Sequence, residues 1–138
     1  MFSQLDAELS KDTNQGYWSE LGINDCIDIL CTFNARDWIE LGDAASSRST
    51  EWLVRCAGAL GGMLTKDSLD WLMKTAIGHG NEVAEAALES INSIIVSNPS
   101  IHDYKSVLIA WIEGLRPTAT RPYLLALAAL EANLNRRG

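Results

Sequence analysis

The stretch Gly80-Asn81-Glu82-Val83-Ala84-Glu85-Ala86-Ala87-Leu88-Glu89-Ser90-Ile91-Asn92-Ser93-Ile94-Ile95 reads GNEVAEAALESINSII. Val83, Ala87, Leu88, Ile91, Ile94 and Ile95 recur at three- and four-residue spacing, which sets them on one stripe of an α-helix. Asn81 stands at the N-cap, and Asn98-Pro99 closes the helix beyond Ser97. Ala84, Ala86 and Ala87 fill little space, so a neighbouring helix axis should approach to the short end of the usual ~8–10 Å. On the opposite side Glu82, Glu85 and Glu89 form one ridge, which reads either as a solvated face or as an acidic strip lining a groove.

Outward from this helix the chain keeps the same period. Asn24 should cap a helix running to about Asn34, and a second helix covers about Arg36 to Ala45. Ser49 or Thr50 caps Glu51 to Leu60, stopped by Gly61-Gly62. Lys66 or Asp67 begins a helix through Ile77, ended by Gly78-His79-Gly80. Two more run from about Pro99 to Leu115 and from about Thr118 to Asn135. No period-2 alternation supports strands. Asp37-Trp38-Ile39 and Asp70-Trp71-Leu72 open similar helices 33 residues apart. Ala86-Ala87-Leu88-Glu89-Ser90 returns as Ala128-Ala129-Leu130-Glu131-Ala132, and Arg55-Cys56-Ala57-Gly58-Ala59-Leu60 is a looser version. A helical pair every ~30–45 residues is the mark of an α-solenoid, whose units bury their apolar sides only by stacking. The expectation is an all-α single domain over 1–138: an N-terminal segment over 1–23, then a short solenoid of about three antiparallel helix pairs over 24–135.

Composition narrows the function. A chain of 138 residues is long enough to bury a core without staples. The opening MFSQLDAELSK lacks a basic region and carries Asp6 and Glu8 in its apolar patch, unlike a secretory signal. The longest apolar run, Tyr123 to Leu130, is far short of the ~20 residues that span a bilayer. Cys26, Cys31 and Cys56 form no CxxC pair, so reduced thiols and a cytoplasmic location are expected. The net charge of −7 disfavours nucleic acid and anionic membranes as direct partners. Residues 1–51 hold ten acids against Lys11, Arg36 and Arg48, which is −7, while the remaining eight acids and eight bases cancel. Such an end suits a basic partner, although uneven solubility charge gives the same count.

No reaction is spelled out. His79 and His102 have no Cys, Asp or Glu at ligand spacing. Cys26 and Cys31 lie about 140° apart around a helix, and read as buried structural thiols. Asp25, Asp28, Asp37, Glu40 and Asp43 are the densest carboxylates, but their spacings indicate single helix faces and not a facing acid/base pair. Gly78-His79-Gly80-Asn81 lacks the lysine of a phosphate-binding loop. No catalytic, cofactor or metal residue is therefore assigned. Of five tryptophans, Trp38, Trp71 and Trp111 read as core packing, whereas Trp18 and Trp52, if exposed, are apolar anchors for a partner. The expected partner-binding set is Asp25, Asp28, Asp37, Glu40 and Asp43 with Trp18 and Trp52, extended by Glu82, Glu85 and Glu89.

With Ala-Ala-Leu-Glu in the second member of a pair, residues 24–135 resemble degenerate HEAT-like (armadillo-like) repeats. Pro99, Pro117 and Pro122 sit at or near helix starts, unlike the proline within the first helix of the usual HEAT repeat. The profile of an acidic, all-helical, single-domain chain without catalytic groups also resembles the immunity proteins of bacterial toxin systems, including contact-dependent growth inhibition. That resemblance implies a monomer or weak dimer that occludes the active site of one cognate toxin, a basic nuclease domain. The alternative is a helical-repeat adaptor that binds a peptide or helix in its groove.

Overall fold

The computed structural model describes residues 1–11, 18, 22–63, 65–97, 104–118 and 121–137. These form eight α-helices and no strand: α1 Phe2–Leu9, α2 Ile23–Leu30, α3 Ala35–Ala44, α4 Thr50–Leu60, α5 Lys66–Thr75, α6 Asn81–Ser97, α7 Lys105–Leu115 and α8 Arg121–Arg137. Single 3₁₀ turns cover Ala45–Ser47 and Arg116–Thr118.

Local hydrogen bonding sets the boundaries. Ser49 caps α4 by accepting from the Trp52 amide, and Thr65 caps α5 by accepting from the Ser68 amide. Asn34 and Asp37 form a reciprocal capping box that starts α3. This box is why α2 stops at Leu30 and does not continue to Asn34. Asn24 is not the cap of α2: the helix already begins at Ile23, with Gly22 in the cap position. Between α5 and α6 the chain reverses through Gly78 and Gly80 at φ 84° and 93°, a backbone region that side-chain-bearing residues rarely adopt. That turn ends α5 at Thr75, two residues short of Ile77. The expected α7 start near Pro99 lies outside the described residues, and α8 begins at Arg121 rather than Thr118.

The alanine-rich helix sits in the middle of the packing. Val83, Ala87, Leu88, Ile91, Ile94 and Ile95 are all buried. α6 contacts α4, α5 and α8; α4 also contacts α2, and α7 contacts α8. The packing is that of an all-helical bundle in which α2, α4, α6 and α8 touch in succession. The α4–α6 seam is the close one: Ser90 Oγ donates to the Ala57 carbonyl at 2.7 Å, and a Cβ on Gly61 would stand 3.0 Å from the Ser90 Cβ. Between layers, Trp71 Nε1 donates to the Leu41 carbonyl and the Tyr123 hydroxyl to the Ala76 carbonyl.

The N-terminal residues belong to this core. Leu5, Leu9 and Trp18 are buried, and α1 contacts α2, α3 and α4. Arg55, only 6% exposed, donates to the Lys11 carbonyl at 2.7 Å, pairs with Glu51 at 2.8 Å and lies 5.3 Å from the Trp18 ring centroid. Its guanidinium satisfies backbone carbonyls at the end of α1 while stacking on an aromatic face, two tasks that suit its planar fork.

Candidate functional site

Helix phase turns two similar sequence segments into the two walls of one cleft. Asp37-Trp38 and Asp70-Trp71 look equivalent, but Asp37 is the third residue of α3 and Asp70 the fifth of α5. Asp37 is consequently spent on capping. Its carboxylate accepts from the amides of Asn34 at 3.0 Å and Phe2 at 3.3 Å, and it is only 7% exposed. The Asn34 amide chiefly, with the Phe2 amide, holds its pKa below the ordinary 3.8 despite some burial. Asp70, two residues further into its helix, is exposed and makes no side-chain hydrogen bond or ion pair among the described residues.

Between α3 and α5 lies a cleft of about 660 Å³. α3 supplies Ala35, Trp38, Ile39, Gly42 and Asp43, one helix face by spacing; α5 supplies Asp67, Asp70, Trp71 and Lys74, likewise one face. Trp71 is buried and fixed by its bond to Leu41, so it forms a rigid part of the lining. Trp38 is half-buried and braced by Phe33 in an edge-to-face contact, with centroids 5.3 Å apart and planes at 75°. Ile39 is 64% exposed at the rim. Asp43, Asp67 and Asp70 are exposed and unpaired among the described residues, and with Lys74 they give the cleft a formal charge of −2, from three acids and one base. Aromatic faces beside unpaired carboxylates favour a cation carried on an apolar stem.

Several expected site residues do other work. Trp18 and Trp52 are 5% and 3% exposed, so neither serves as a surface anchor. Trp52 Nε1 instead donates to Asp6, whose carboxylate also takes a two-pronged bond from Arg48 at 3.1 Å. Trp38 and Trp111, expected as core packing, do pack against the core but from its edge, half-buried. Asp37 belongs to the capping box, and Glu40 pairs with Arg36 at 3.4 Å. Four of the ten acids of the first 51 residues are paired with a lysine or arginine, Asp6 with Arg48, Glu8 with Lys11, Glu40 with Arg36 and Glu51 with Arg55, and only Arg55 comes from outside that stretch, so its excess of negative charge stays. Asp25 and Asp28 are exposed on α2, and Glu82, Glu85 and Glu89 on α6, all outside the cleft. Of the expected set, only Asp43 lines it.

The thiols split in the same way. Cys26 and Cys56 are fully buried, while Cys31 is exposed, contrary to its expected burial. Desolvation pushes the Cys26 thiol up to about 12, with Glu8 and Asp25 adding to the rise, and pushes Cys56 up as well. Neither buried thiol is a nucleophile at neutral pH. His79 lies in the glycine turn and His102 outside the described residues. No cluster of three potential metal-ligating side chains occurs among the described residues, and no described helix is long and apolar enough to cross a membrane.

Asp67, Asp70, Phe33 and Ile39 were not expected in a site. The signal was available in the repeated Asp-Trp pair, once each pair is placed in the phase of its own helix. No protein-family model, curated protein or solved structure matches the chain.

Proposed function

We propose that the chain is a non-catalytic binding protein that holds a basic segment of another protein in the α3–α5 cleft. One observation carries this reading: three unpaired carboxylates surround an apolar, tryptophan-lined cleft. Lysine or arginine would lay its methylene stem along Trp38 and Ile39 and bring its charge to Asp43, Asp67 or Asp70. The succession of contacts α2–α4–α6–α8 favours a short α-solenoid of antiparallel pairs, in which α3 and α5 belong to neighbouring pairs. The resemblance to immunity proteins adds a specific form of the proposal, an inhibitor whose cleft engages a basic toxin domain. The adaptor reading uses the same cleft for a peptide from a standing partner.

Titration of the full chain with a fluorescent oligo-arginine peptide tests the shared claim. Binding should weaken at least tenfold between 50 and 300 mM salt, and the exposed Asp43→Asn/Asp67→Asn/Asp70→Asn variant should lose it without a change in helix content. Equal binding by wild type and variant would remove the cleft from the function.

A further inference from the structure

A second, smaller cleft adjoins the first across α5. Its volume is about 380 Å³, and Met73, Ile77 and Trp111 line it together with Asp70 and Lys74, which also line the first cleft. Ile77 is 50% exposed there, and Trp111 half-buried. The two clefts differ in chemistry. The α3 side offers three carboxylates beside aromatics, whereas the α7 side offers a thioether, an aliphatic chain and an indole. Asp70 and Lys74, one turn apart, form the ridge between them.

We infer that the binding face is bipartite and takes a polypeptide segment carrying a basic side chain for the α3–α5 cleft and an apolar side chain for the α5–α7 cleft. This rests on the function proposed above and specifies its ligand. Charge complementarity fixes which prong is which, because the carboxylates Asp43 and Asp67 line only the first cleft. Grooves on either side of one helix lie about 10 Å apart, roughly one helix diameter. An extended segment rises ~3.3 Å per residue and turns alternate side chains to one face, so separations of about two or four residues bracket that distance with both side chains directed at the protein. A helical segment rises ~1.5 Å per residue and needs about seven. Ligands with the two side chains adjacent in sequence cannot reach both clefts.

The test uses ten-residue capped peptides with one arginine and one leucine in a serine-glycine background, at separations from one to seven. They are titrated into the ¹⁵N-labelled full chain while the indole N–H signals of Trp38 and Trp111 are followed. An arginine-only peptide should shift Trp38 alone. Adding leucine at a separation of about two or four should shift Trp111 as well and tighten binding at least fivefold, since burying even ~40 Å² of leucine surface is worth about that factor. Ile77→Gln, at an exposed position, should abolish the gain and leave the arginine-only titration unchanged. A gain below fivefold at every separation, or one that survives Ile77→Gln, overturns the bipartite face, while a Trp38 response to arginine keeps the simpler reading. No Trp38 response to any peptide overturns both. Spermidine that binds as tightly as the best peptide would overturn the assignment to a polypeptide.

Discussion

Replacing Gly61 by alanine probes the close approach of α4 to α6. Gly61 ends α4 at φ −62° and ψ −21°, a conformation alanine adopts freely. On backbone grounds alone the change should stabilise by about 0.4–1 kcal/mol, by restricting the unfolded chain. The added Cβ, however, would stand 2.8 Å from Ser90 Oγ and 3.0 Å from Ser90 Cβ. Rotating the hydroxyl away would relieve the first clash but lose its 2.7 Å bond to the Ala57 carbonyl, at a cost of about 0.5–1.5 kcal/mol. No rotamer relieves the second, so α4 and α6 must separate by a few tenths of an ångström, against tight packing at Ala57 and Ala87. Overpacking of this kind costs about 1–3 kcal/mol, so mid-range values of the three contributions leave a net loss of about 2 kcal/mol. At this chain length that lowers Tm by roughly 4–8 °C, measured by circular dichroism. In a Ser90→Gly background the same change should reverse sign and stabilise. A wild-type background in which Gly61→Ala raises Tm would refute the close approach.

Four further outcomes follow from buried groups. In the native protein a disulfide-exchange reagent should titrate Cys31 alone, and Cys26 and Cys56 only after denaturation; rapid native reaction of all three would contradict their burial. Because the buried thiols keep their protons above the ordinary pKa of 9.0, the unfolded state binds fewer protons there, so stability is undiminished below pH 9 and falls above it. At pH 10 each thiol should contribute a loss on the order of 1 kcal/mol, read from urea midpoints, and Cys56→Ala should reduce the total. Asp37 works in the opposite direction: its folded pKa is depressed, so its contribution is present above 3.8 and lost as pH falls through the folded value. Asp37→Asn should lower the urea midpoint at pH 6, with the gap from wild type narrowing toward pH 3. Arg55→Ala leaves carbonyls of Leu9 and Lys11 without their donor and should cost about 2–4 kcal/mol, with earlier proteolytic cleavage after α1.

The helices were legible because their signals are local. The stripe Val83 to Ile95, the Ser49 cap and the Gly78-His79-Gly80 turn each need only near neighbours in sequence, and each lies in the structure where the sequence placed it. Long-range partners were not legible. The Trp52 indole finds Asp6, and Arg55 finds Leu9 and Lys11, more than forty residues away in sequence. A tryptophan beside Glu51 therefore reads as surface until its partner is known, although Trp52, Leu53, Cys56 and Leu60 already carry a buried helical period. The same holds for the acidic first third, where charge counts could not reveal that Arg48 is spent on Asp6 or that Arg55, from beyond it, pairs with Glu51. Asn34-x-x-Asp37 is different, because it carries a capping-box pattern in plain view that outweighs any surface role for Asp37.

The attachment of α1 has a consequence for how the protein is made. Leu5 and Leu9 leave the ribosome well before Arg48, just ahead of α4, and Trp52 and Arg55 within it, the residues that fasten α1 in place. During synthesis α2 and α3 are available to α1 first, but the side of α1 that α4 covers stays open for at least another forty-odd residues of elongation. A chaperone that shields nascent chains would find its opportunity in that interval, and slowing translation upstream of codon 48 should prolong it.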